Sequence, residues 1–420
     1  MNFTPAFISD VKHSADIVTI IGKNIPLKKR GANFWGLFPF HTDKNPSMQI
    51  SRANGYFKCW SCGAKGDVIS WVMYEHDISF YQAINWLVQS LRIIPPESIT
   101  VKNQNINTNK ALYRTLHRAN SIYQNGLAKS PIPKSFLVED RGLNEKTIKE
   151  WGIGLVSKGV KGFLGASEEL LIKTGICGLN DNNHVFERLI MRITIPILDH
   201  SGKLVGFAGR RLELQDLIIQ VPKYLNPPST ELFRKNSVLF GLNKAKDFIR
   251  KSDIAIVVEG YFDVIALYQY GEKRAVASMG TAIADTQLKI LFRYTKNIAF
   301  CFDGDSAGQK AAKHIIPIIL STLEDGQSCS FIWLPTGHDP DTYIREYGIS
   351  SWLKIVENAE PLSSFLIRYI AAKAKNQNVE SSVNSLLRAK KVIQAIKAPL
   401  FRKVITNHIT KKYNIDLEAH

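Results

Sequence analysis

Six acidic side chains stand where short apolar runs end in the second half of the chain. They are Glu259, Asp263, Asp303, Asp305, Asp339 and Asp341. Loops that follow the carboxyl ends of parallel strands share one edge of an open sheet, so we expect these carboxylates to converge. Crowded carboxylates are costly unless cations neutralise them, and Mg²⁺ prefers oxygen ligands of this kind. The pattern therefore predicts a divalent-metal site suited to phosphoryl or nucleotidyl transfer.

Each of these acids also has a plainer interpretation when it is taken alone. Asp305 or Ser306 would cap the helix that follows. Asp339 would begin a turn, and Glu259 would be an isolated acid at a strand end. The metal interpretation is favoured because three acid-bearing strand ends occur in one alternating region.

A C-x-x-C pair near the N-terminus, Cys59 and Cys62, is a second set of residues that can bind metal. Such a turn points two thiolates at one ion, and His41 lies upstream as a further donor. The alternative is two buried thiols in a reducing compartment. The 5 cysteines show no disulfide spacing, and the sequence shows neither a signal peptide nor a long apolar run. We therefore expect a cytoplasmic protein with no membrane partner.

The charge of the chain is basic and unevenly distributed. Its 420 residues carry a net charge of +17, from 54 Lys and Arg against 37 Asp and Glu. Residues 101–250 hold 23 basic and 13 acidic side chains, whereas residues 251–350 hold 9 and 12. This suits an enzyme that acts on nucleic acid, because cations hold phosphates and carboxylates hold metal ions. A surplus that serves only solubility is the alternative. With 45% apolar residues, a wholly disordered or fibrous chain is excluded.

The elements that must position these residues follow from the periodicity of apolar side chains. Strands alternating with helices predict a mainly parallel sheet flanked by helices. The strands are expected at 254–258, 275–278, 298–302 and 331–334. Residues 190–198 and 203–207 predict a hairpin. Other helices are expected at 5–21, 66–91, 111–128 and from 348 to the end, with an Asn-rich linker at 101–110.

Four motifs in the acidic region resemble the TOPRIM domain of bacterial DnaG-type primases. They are Glu259-Gly-Tyr-Phe-Asp263, Ala277-Ser-Met-Gly-Thr281, Asp303-Gly-Asp305-Ser-Ala-Gly308 and Asp339-Pro-Asp341. The resemblance implies that Glu259, Asp303 and Asp305 are the catalytic residues and the principal ligands of Mg²⁺ or Mn²⁺. Asp263, Asp339 and Asp341 would complete the acidic metal site. TOPRIM domains also occur in topoisomerases, nucleases and recombination proteins, so the flanking segments must discriminate.

Residues 36–67 resemble the zinc-binding domain of the same primases, which uses a Cys, a His and a C-x-x-C pair. The Zn²⁺ ligands implied here are His41, Cys59 and Cys62. Phe38 stands where the family has its first Cys, and a structural zinc site normally has four ligands. Either Asp43 or a water takes the fourth position, or Phe38 fills the space by packing and the metal is absent. The knuckle sequence Cys-Trp-Ser-Cys-Gly favours bound zinc.

The basic block resembles the N-terminal subdomain of the primase RNA-polymerase core. The matching segments are Arg141-Gly-Leu143, residues 186–197, Gly206-Phe-Ala-Gly-Arg210 and Pro222-Lys-Tyr-Leu-Asn226. The resemblance implies that nucleic acid and nucleotide phosphates are bound by Arg141, Arg210, Lys223 and Asn226. Arg and Lys on loops beside Gly and Asn suit phosphate contact. For each cation alone, a solvated surface position is the alternative.

The resemblance covers almost the whole chain and implies a multidomain α+β protein. Its parts are a zinc-ribbon-like β domain, a linker, a mixed α/β basic subdomain, an α/β TOPRIM subdomain with a mainly parallel sheet, and a helical subdomain. In that order they are expected at 1–95, 96–110, 111–250, 251–345 and 350–420.

The implied activity is synthesis of short RNA primers from ribonucleoside triphosphates on single-stranded DNA, which yields an RNA–DNA hybrid. We expect a monomer at nucleoid-associated replication forks. In the family a further C-terminal domain binds the replicative helicase; because this sequence stops at His420, that docking domain is expected to be missing, and the helicase is left as an open partner. The alternatives are a TOPRIM nuclease or topoisomerase-like enzyme, and an inactive relative that binds single-stranded DNA.

Overall fold

The protein forms two compact units, Met1–Thr108 and Asn109–His420. The structure, a computed structural model, describes residues 5–39, 46–76, 78, 80–91, 93, 103–212, 222–279, 283–304, 306–371 and 379–413. His41 and Asp305 of the predicted sites, and Asp43, lie outside the described residues. Among the described residues, no helix is both long enough and apolar enough to span a bilayer.

The first unit is built on an antiparallel sheet in the order β1-β2-β3-β4-β5. Its strands are β1 (Lys28–Arg30), β2 (Asn33–Gly36), β3 (Met48–Ser51), β4 (Tyr56–Cys59) and β5 (Lys65–Asp67). Its helices are α1 (Pro5–Ser14), α2 (Ile17–Gly22), α3 (Val68–His76) and α4 (Phe80–Ser90). Apolar side chains of the sheet and helices, among them Ile50, Phe57 and Trp71, form one buried core.

The second unit begins with a helical and mixed region around a sheet in the order β11-β10-β9-β6. Its helices are α5 (Asn103–Ala128), α6 (Pro131–Ser135), α7 (Glu145–Glu150), α8 (Glu168–Lys173) and α9 (Leu242–Ser252). Its strands are β6 (Gly154–Val156), β7 (Cys177–Leu179), β8 (Val185–Glu187), β9 (Arg192–Leu198), β10 (Leu204–Arg211) and β11 (Tyr224–Leu225). A π-helix, Phe136–Asp140, follows α6. The predicted hairpin is confirmed, since β9 and β10 pair antiparallel.

A mostly parallel sheet follows, in the order β13-β12-β14-β15-β16, as the alternation predicted. Its strands are β12 (Ala255–Val258), β13 (Ala275–Ala277), β14 (Asn297–Phe302), β15 (Ser328–Trp333) and β16 (Glu360–Pro361). The helices between them are α10 (Tyr261–Gln269), α11 (Asp285–Leu291), α12 (Ser306–Thr322) and α13 (Pro340–Glu357). Only β16 pairs antiparallel in this sheet as described, at the edge beside β15.

The two faces of this sheet are covered by different parts of the chain. Inward residues of one face, such as Ile256 and Cys301, share a core with the preceding basic region. Residues of the other face, such as Val257 and Phe300, pack with the C-terminal helices. These helices are α14 (Leu362–Ala371), α15 (Val379–Ala395) and α16 (Pro399–Tyr413). The sheet is therefore buried on both sides, as continuous apolar strands require.

The structure corrects several sequence-based expectations about secondary structure. The predicted helix 5–21 is two helices, α1 and α2, with Asp16 capping α2. The predicted helix 66–91 is two helices, α3 and α4, and Gly66 belongs to β5, where it pairs with Phe57. The predicted linker 101–110 is helical from Asn103, because α5 extends upstream from its buried residues Leu112 and Leu116. The turn preference of Asn is weak compared with the packing of a long amphipathic helix.

Candidate active site

The carboxyl ends of β12, β14 and β15 lie side by side, because β14 pairs in parallel with both neighbours. Glu259 directly follows β12, and Asp303 directly follows β14. Asp339 caps the helix after β15, and Asp341 lies in the first turn of that helix. The sheet thus brings to one edge acids that are far apart in the sequence. We call these residues, with Asp263 of α10, the acidic edge.

The electrostatics of Asp263 show that these carboxyl groups interact. Burial is the main cause that raises the pKa of Asp263 to about 8, and three other acids add to it: Asp339, Asp303 and Asp341. The amide of Gly260 opposes the rise by donating a hydrogen bond of 2.8 Å to Oδ2 of Asp263.

The surroundings of the Cys301 thiol show that Glu259 belongs to the same cluster of interacting acids. Burial raises the pKa of the Cys301 thiol well above its ordinary value, and the charges of Asp263, Asp303 and Glu259 raise it further. Divalent cations relieve such crowding of negative charge, so this donor set fits Mg²⁺ or Mn²⁺. Across the described residues, no three acidic, His or Cys side chains already lie at the spacing of metal ligands.

We predict that Asp263→Asn stabilises the metal-free protein. The folded-state pKa of Asp263 lies above its ordinary value of 3.8, so its charged form weakens folding increasingly as pH rises from 3.8 through about 8. The neutral amide removes this effect and retains an oxygen for the Gly260 amide. With a chelator present, the free energy of unfolding of the variant should exceed that of the unmodified protein by about 1–2 kcal/mol at pH 9 and by less at pH 6. If the variant and the unmodified protein had the same unfolding curve at each of the two pH values, the electrostatic explanation would be contradicted.

The turn after β14 places Asp303 through a close backbone approach. A Cβ atom at Gly304 would lie 2.1 Å from the carbonyl oxygen of Pro335, so only glycine fits there. The Gly304 amide donates a 3.3 Å hydrogen bond to the carbonyl oxygen of His338. The loop that carries Asp303 is therefore held against the loop that leads to Asp339.

The two acids after β15 are both engaged in protein contacts. Asp339 caps α13, where its Oδ1 accepts hydrogen bonds from the amide of Thr342 at 2.7 Å and from its hydroxyl at 2.6 Å. Asp339 thus caps a helix, where the plainer sequence interpretation had a turn, and it remains within the acidic edge. The side chain of Asp341 is 1% exposed and lies between two guanidinium groups. Arg141 Nη1 is 2.9 Å from Oδ2 of Asp341, and Arg345 Nε is 2.9 Å from Oδ1.

Arg210, predicted to line a nucleic-acid track, lies in the interior with 1% of its surface exposed. Its Nη1 donates a 2.7 Å hydrogen bond to the Tyr224 hydroxyl. Its guanidinium also lies 5.0 Å from the ring centre of Phe136 and 5.6 Å from that of Phe262. In this arrangement Arg210 holds Tyr224, which the register pairs with it across β10 and β11.

Lys223 and Asn226 flank β11 and differ in their surroundings. Lys223 is exposed, as expected of a side chain that contacts phosphates. Asn226 accepts a 2.5 Å hydrogen bond from the Tyr261 hydroxyl and donates a 3.0 Å bond to the carbonyl oxygen of Met279. Asn226 therefore ties the basic region to α10 and to the segment after β13. The sequence motif indicated Asn226, whereas the contribution of Tyr261 had no distinct signal.

The cysteine module of the first unit provides two neighbouring thiols and an aromatic core. Desolvation raises the pKa of Cys62, the backbone at Ala64 opposes the rise, and the adjacent Cys59 thiol adds to it. Phe38 is 3% exposed, with its ring centre 6.0 Å from that of Phe57 and 6.3 Å from that of Trp71. A buried phenyl ring cannot coordinate metal. The described residues therefore do not complete a four-ligand zinc site.

An open cavity of about 460 Å³ borders Asp303. Its walls include Gln309, Trp333 and Arg368. This volume lies within the range that binds small organic ligands, and its lining combines an aromatic ring with hydrogen-bonding groups. A nucleotide-sized ligand thus has space beside the acidic edge.

Three family models match the chain. They are the CHC2 zinc finger over residues 3–103, the DNA primase catalytic core N-terminal domain over residues 122–246, and the Toprim-like model over residues 256–344. Together with the acidic edge, these matches define a Toprim enzyme of the nucleic-acid polymerising class.

Relatives and solved structures agree along the chain. The DNA primase of Haemophilus influenzae is 32% identical over 97% of this chain and 70% of its own length. The DNA primase of Pseudomonas putida is 32% identical over 98% of this chain and 63% of its own length. The Aquifex aeolicus primase structure, with zinc-binding and RNA polymerase domains, has a TM-score of 0.64 at 29% identity and covers 98% of both chains. A DnaG primase catalytic domain bound to single-stranded DNA has a TM-score of 0.65 at 33% identity, covering 74% of this chain and 98% of that one. The chain belongs to the DnaG family of DNA primases.

Proposed function

We propose that this primase joins ribonucleoside triphosphates into short RNA primers on single-stranded DNA at the acidic edge. The observation that carries this site is the parallel pairing of β14 with β12 and β15, which brings Glu259, Asp303 and Asp339 to one edge of the sheet. The matched primase core over residues 122–246 distinguishes this function from that of a Toprim nuclease or topoisomerase. Action in the cytoplasm at replication forks is part of the proposal.

We assign the divalent metal to Glu259, Asp303 and Asp305, of which Asp305 lies outside the described residues. When bound, Mg²⁺ or Mn²⁺ neutralises phosphate charge and favours departure of pyrophosphate. Asp263 and Asp339 supply surrounding negative charge that favours binding of a cation. Asp341, which the motif places with them, is instead paired with Arg141 and Arg345.

The carboxylates and the bound metal have different roles in each nucleotide addition. The 3′-hydroxyl oxygen of the growing strand bonds to the α-phosphorus of the incoming nucleotide, and the bond to pyrophosphate breaks. Glu259, exposed at the end of β12, accepts the hydroxyl proton in this proposal. Gly304 holds the backbone beside Asp303, so Asp303 stays fixed relative to the reacting phosphate.

The basic region would hold the template and the nucleotide phosphates. Lys223 is exposed and Arg141 borders the acidic edge, so both are placed for phosphate contact. Arg210 would act by orienting Tyr224, and Asn226 would fix the backbone near Met279. The related catalytic domain solved with single-stranded DNA supports a single-stranded template. The product would be an RNA–DNA hybrid.

In the first unit, zinc would be held by an incomplete set of ligands and would contribute little to the fold. The ligands we propose for zinc remain His41, Cys59 and Cys62, with His41 outside the described residues. Since Phe38 occupies the core, a closed four-ligand site is not completed by the described residues.

The function is tested by supplying unprimed single-stranded DNA, labelled ribonucleotides and Mg²⁺. Short RNA that depends on the template and disappears in chelator is the expected product. A second reaction with labelled DNA and no nucleotides measures cleavage. Cleavage without RNA synthesis would support the nuclease alternative, and binding without either product would support the inactive relative.

A further inference from the structure

Arg345 lies one helical turn after Asp341 and contacts two parts of the chain. The proposed mechanism gives Arg345 no role. Its Nε is 2.9 Å from Oδ1 of Asp341, within α13. Its Nη1 donates a 3.1 Å hydrogen bond to the carbonyl oxygen of Asp140, at the end of the π-helix. One side chain therefore joins the Toprim sheet region to the segment that carries Arg141.

The segment 140–144, which we call the Arg141 loop, is shaped around Arg345. Gly142 has a φ of +62°, and a Cβ atom at that position would lie 2.9 Å from Cδ of Arg345. The positive φ favours the glycine of the Arg-Gly-Leu motif, and the aliphatic part of Arg345 packs directly against it.

Gln269 of α10 holds the other side of the Arg141 loop. Its Nε2 donates a 2.8 Å hydrogen bond to the carbonyl oxygen of Gly142, and its Oε1 accepts a 2.8 Å bond from the amide of Asn144. The loop is therefore anchored to both α10 and α13, and the direction of the Arg141 side chain is set by these two anchors.

The charge balance of this cluster makes Arg345 more than a structural contact. Arg141 and Arg345 share one carboxylate, Asp341, so the three groups carry a net charge of +1. Without Arg345, the pair Arg141–Asp341 would be neutral, and the attraction of Arg141 for a phosphate would fall. Burial lowers the pKa of Arg141, but Asp341, Tyr224 and Asp339 outweigh it, so Arg141 stays charged beside the acidic edge.

We propose that Arg345 is a positioning residue for primer synthesis: it holds the Arg141 loop and shares Asp341, so that Arg141 keeps a charge available for a phosphate of the template or nucleotide. The inference rests on the proposed function. It also makes Asp341 an anchor for two arginines in place of a direct metal ligand.

The test is a double-mutant cycle on the full chain, with kcat for primer synthesis and the dissociation constant for single-stranded DNA as readouts. Arg345→Ala should lower kcat or weaken DNA binding by about tenfold, and Arg345→Lys should recover part of the loss because it restores the charge without the bond to Asp140. In an Arg141→Ala background, Arg345→Ala should have little further effect. Effects that multiply, or wild-type behaviour of Arg345→Ala, would overturn the proposal.

A control variant and a metal-binding measurement distinguish the loss of the positioning role of Arg345 from other causes of reduced activity. Arg250→Ala, which removes an exposed arginine paired with Asp247 on its own helix, is the matched control and should leave both readouts unchanged. Mn²⁺ binding without nucleotide should be unchanged in Arg345→Ala and Asp341→Asn; a loss in Asp341→Asn would make Asp341 a metal ligand and contradict the anchor role. If Arg345→Ala does not fold, the double-mutant cycle with Arg141→Ala is measured with Arg345→Lys in its place. A wild-type chain that makes no RNA but binds DNA would reject the proposed function and leave the DNA-binding cycle to decide the inference.

Discussion

Replacement of Asp303 by Asn is expected to lower primer synthesis on the order of a thousandfold, with an unchanged fold. This corresponds to about 4 kcal/mol of lost transition-state stabilisation. Asp303 follows the central strand of the acidic edge, its charge acts on both Asp263 and Cys301, and its loop is fixed by Gly304. The amide has the same shape but cannot supply the negative charge that holds a divalent cation.

The measurement is the initial rate of RNA synthesis at saturating nucleotide, over a range of Mg²⁺ or Mn²⁺ concentrations. Thermal unfolding of each variant verifies that the fold is retained. Asp247→Asn is the matched control, because this carboxylate is exposed on α9 and pairs with Arg250 on its own helix. A rate within about threefold of the unmodified protein for Asp303→Asn would remove Asp303 from the catalytic set.

The second large effect concerns the first unit, where Phe38→Ala should destabilise the fold and removal of zinc should not. Loss of a buried phenyl ring in contact with Phe57 and Trp71 costs about 3–5 kcal/mol. Chelation removes at most the three proposed ligand bonds, while the apolar core that includes Met48 and Ile50 stays intact. We therefore expect the core, rather than metal, to supply most of the stability of this unit.

Hydrogen exchange of the amides of β3 and β4 in the full chain measures both changes. Phe38→Ala should speed exchange strongly, whereas exhaustive chelation of the unmodified protein should change it little. Phe163→Ala is the control, since this phenylalanine is 62% exposed in the second unit. In addition, Phe38→Cys should raise zinc affinity, measured by competition with a chromophoric chelator, because it adds a fourth ligand, a third thiolate beside those of Cys59 and Cys62. Unfolding of β3 and β4 upon chelation alone would show that zinc is the main support.

The parallel sheet and its acidic edge were predictable because local patterns sufficed. Continuous apolar runs such as 298–302 predict buried strands, and alternation with helices predicts parallel pairing. An acid directly after a parallel strand lies at the edge of the sheet where the strands have their carboxyl ends, so local sequence is enough to place it. This is why Glu259 and Asp303 were predicted to lie together and do so in the fold.

The basic residues were less predictable, because burial depends on the packing of elements that are distant in sequence. Arg210 belongs to a motif that suggests an exposed cation, yet its strand is buried on the side of Phe136 and Phe262. Only the assembled core reveals that its guanidinium is used inside the protein. The two segments that supply these rings precede and follow Arg210 by long stretches of chain.

The sequence by itself determined the class of fold, the acids of the acidic edge and the Phe38 position where the family has a Cys, since each depends on residue type and local spacing. The tertiary structure decided which of these groups are free to act. It placed Arg141 and Arg345 on either side of Asp341 and put Phe38 in an aromatic core. The physical reason is that a charge or ring acquires its role from the dielectric and the partners around it, and contacts between distant segments set both.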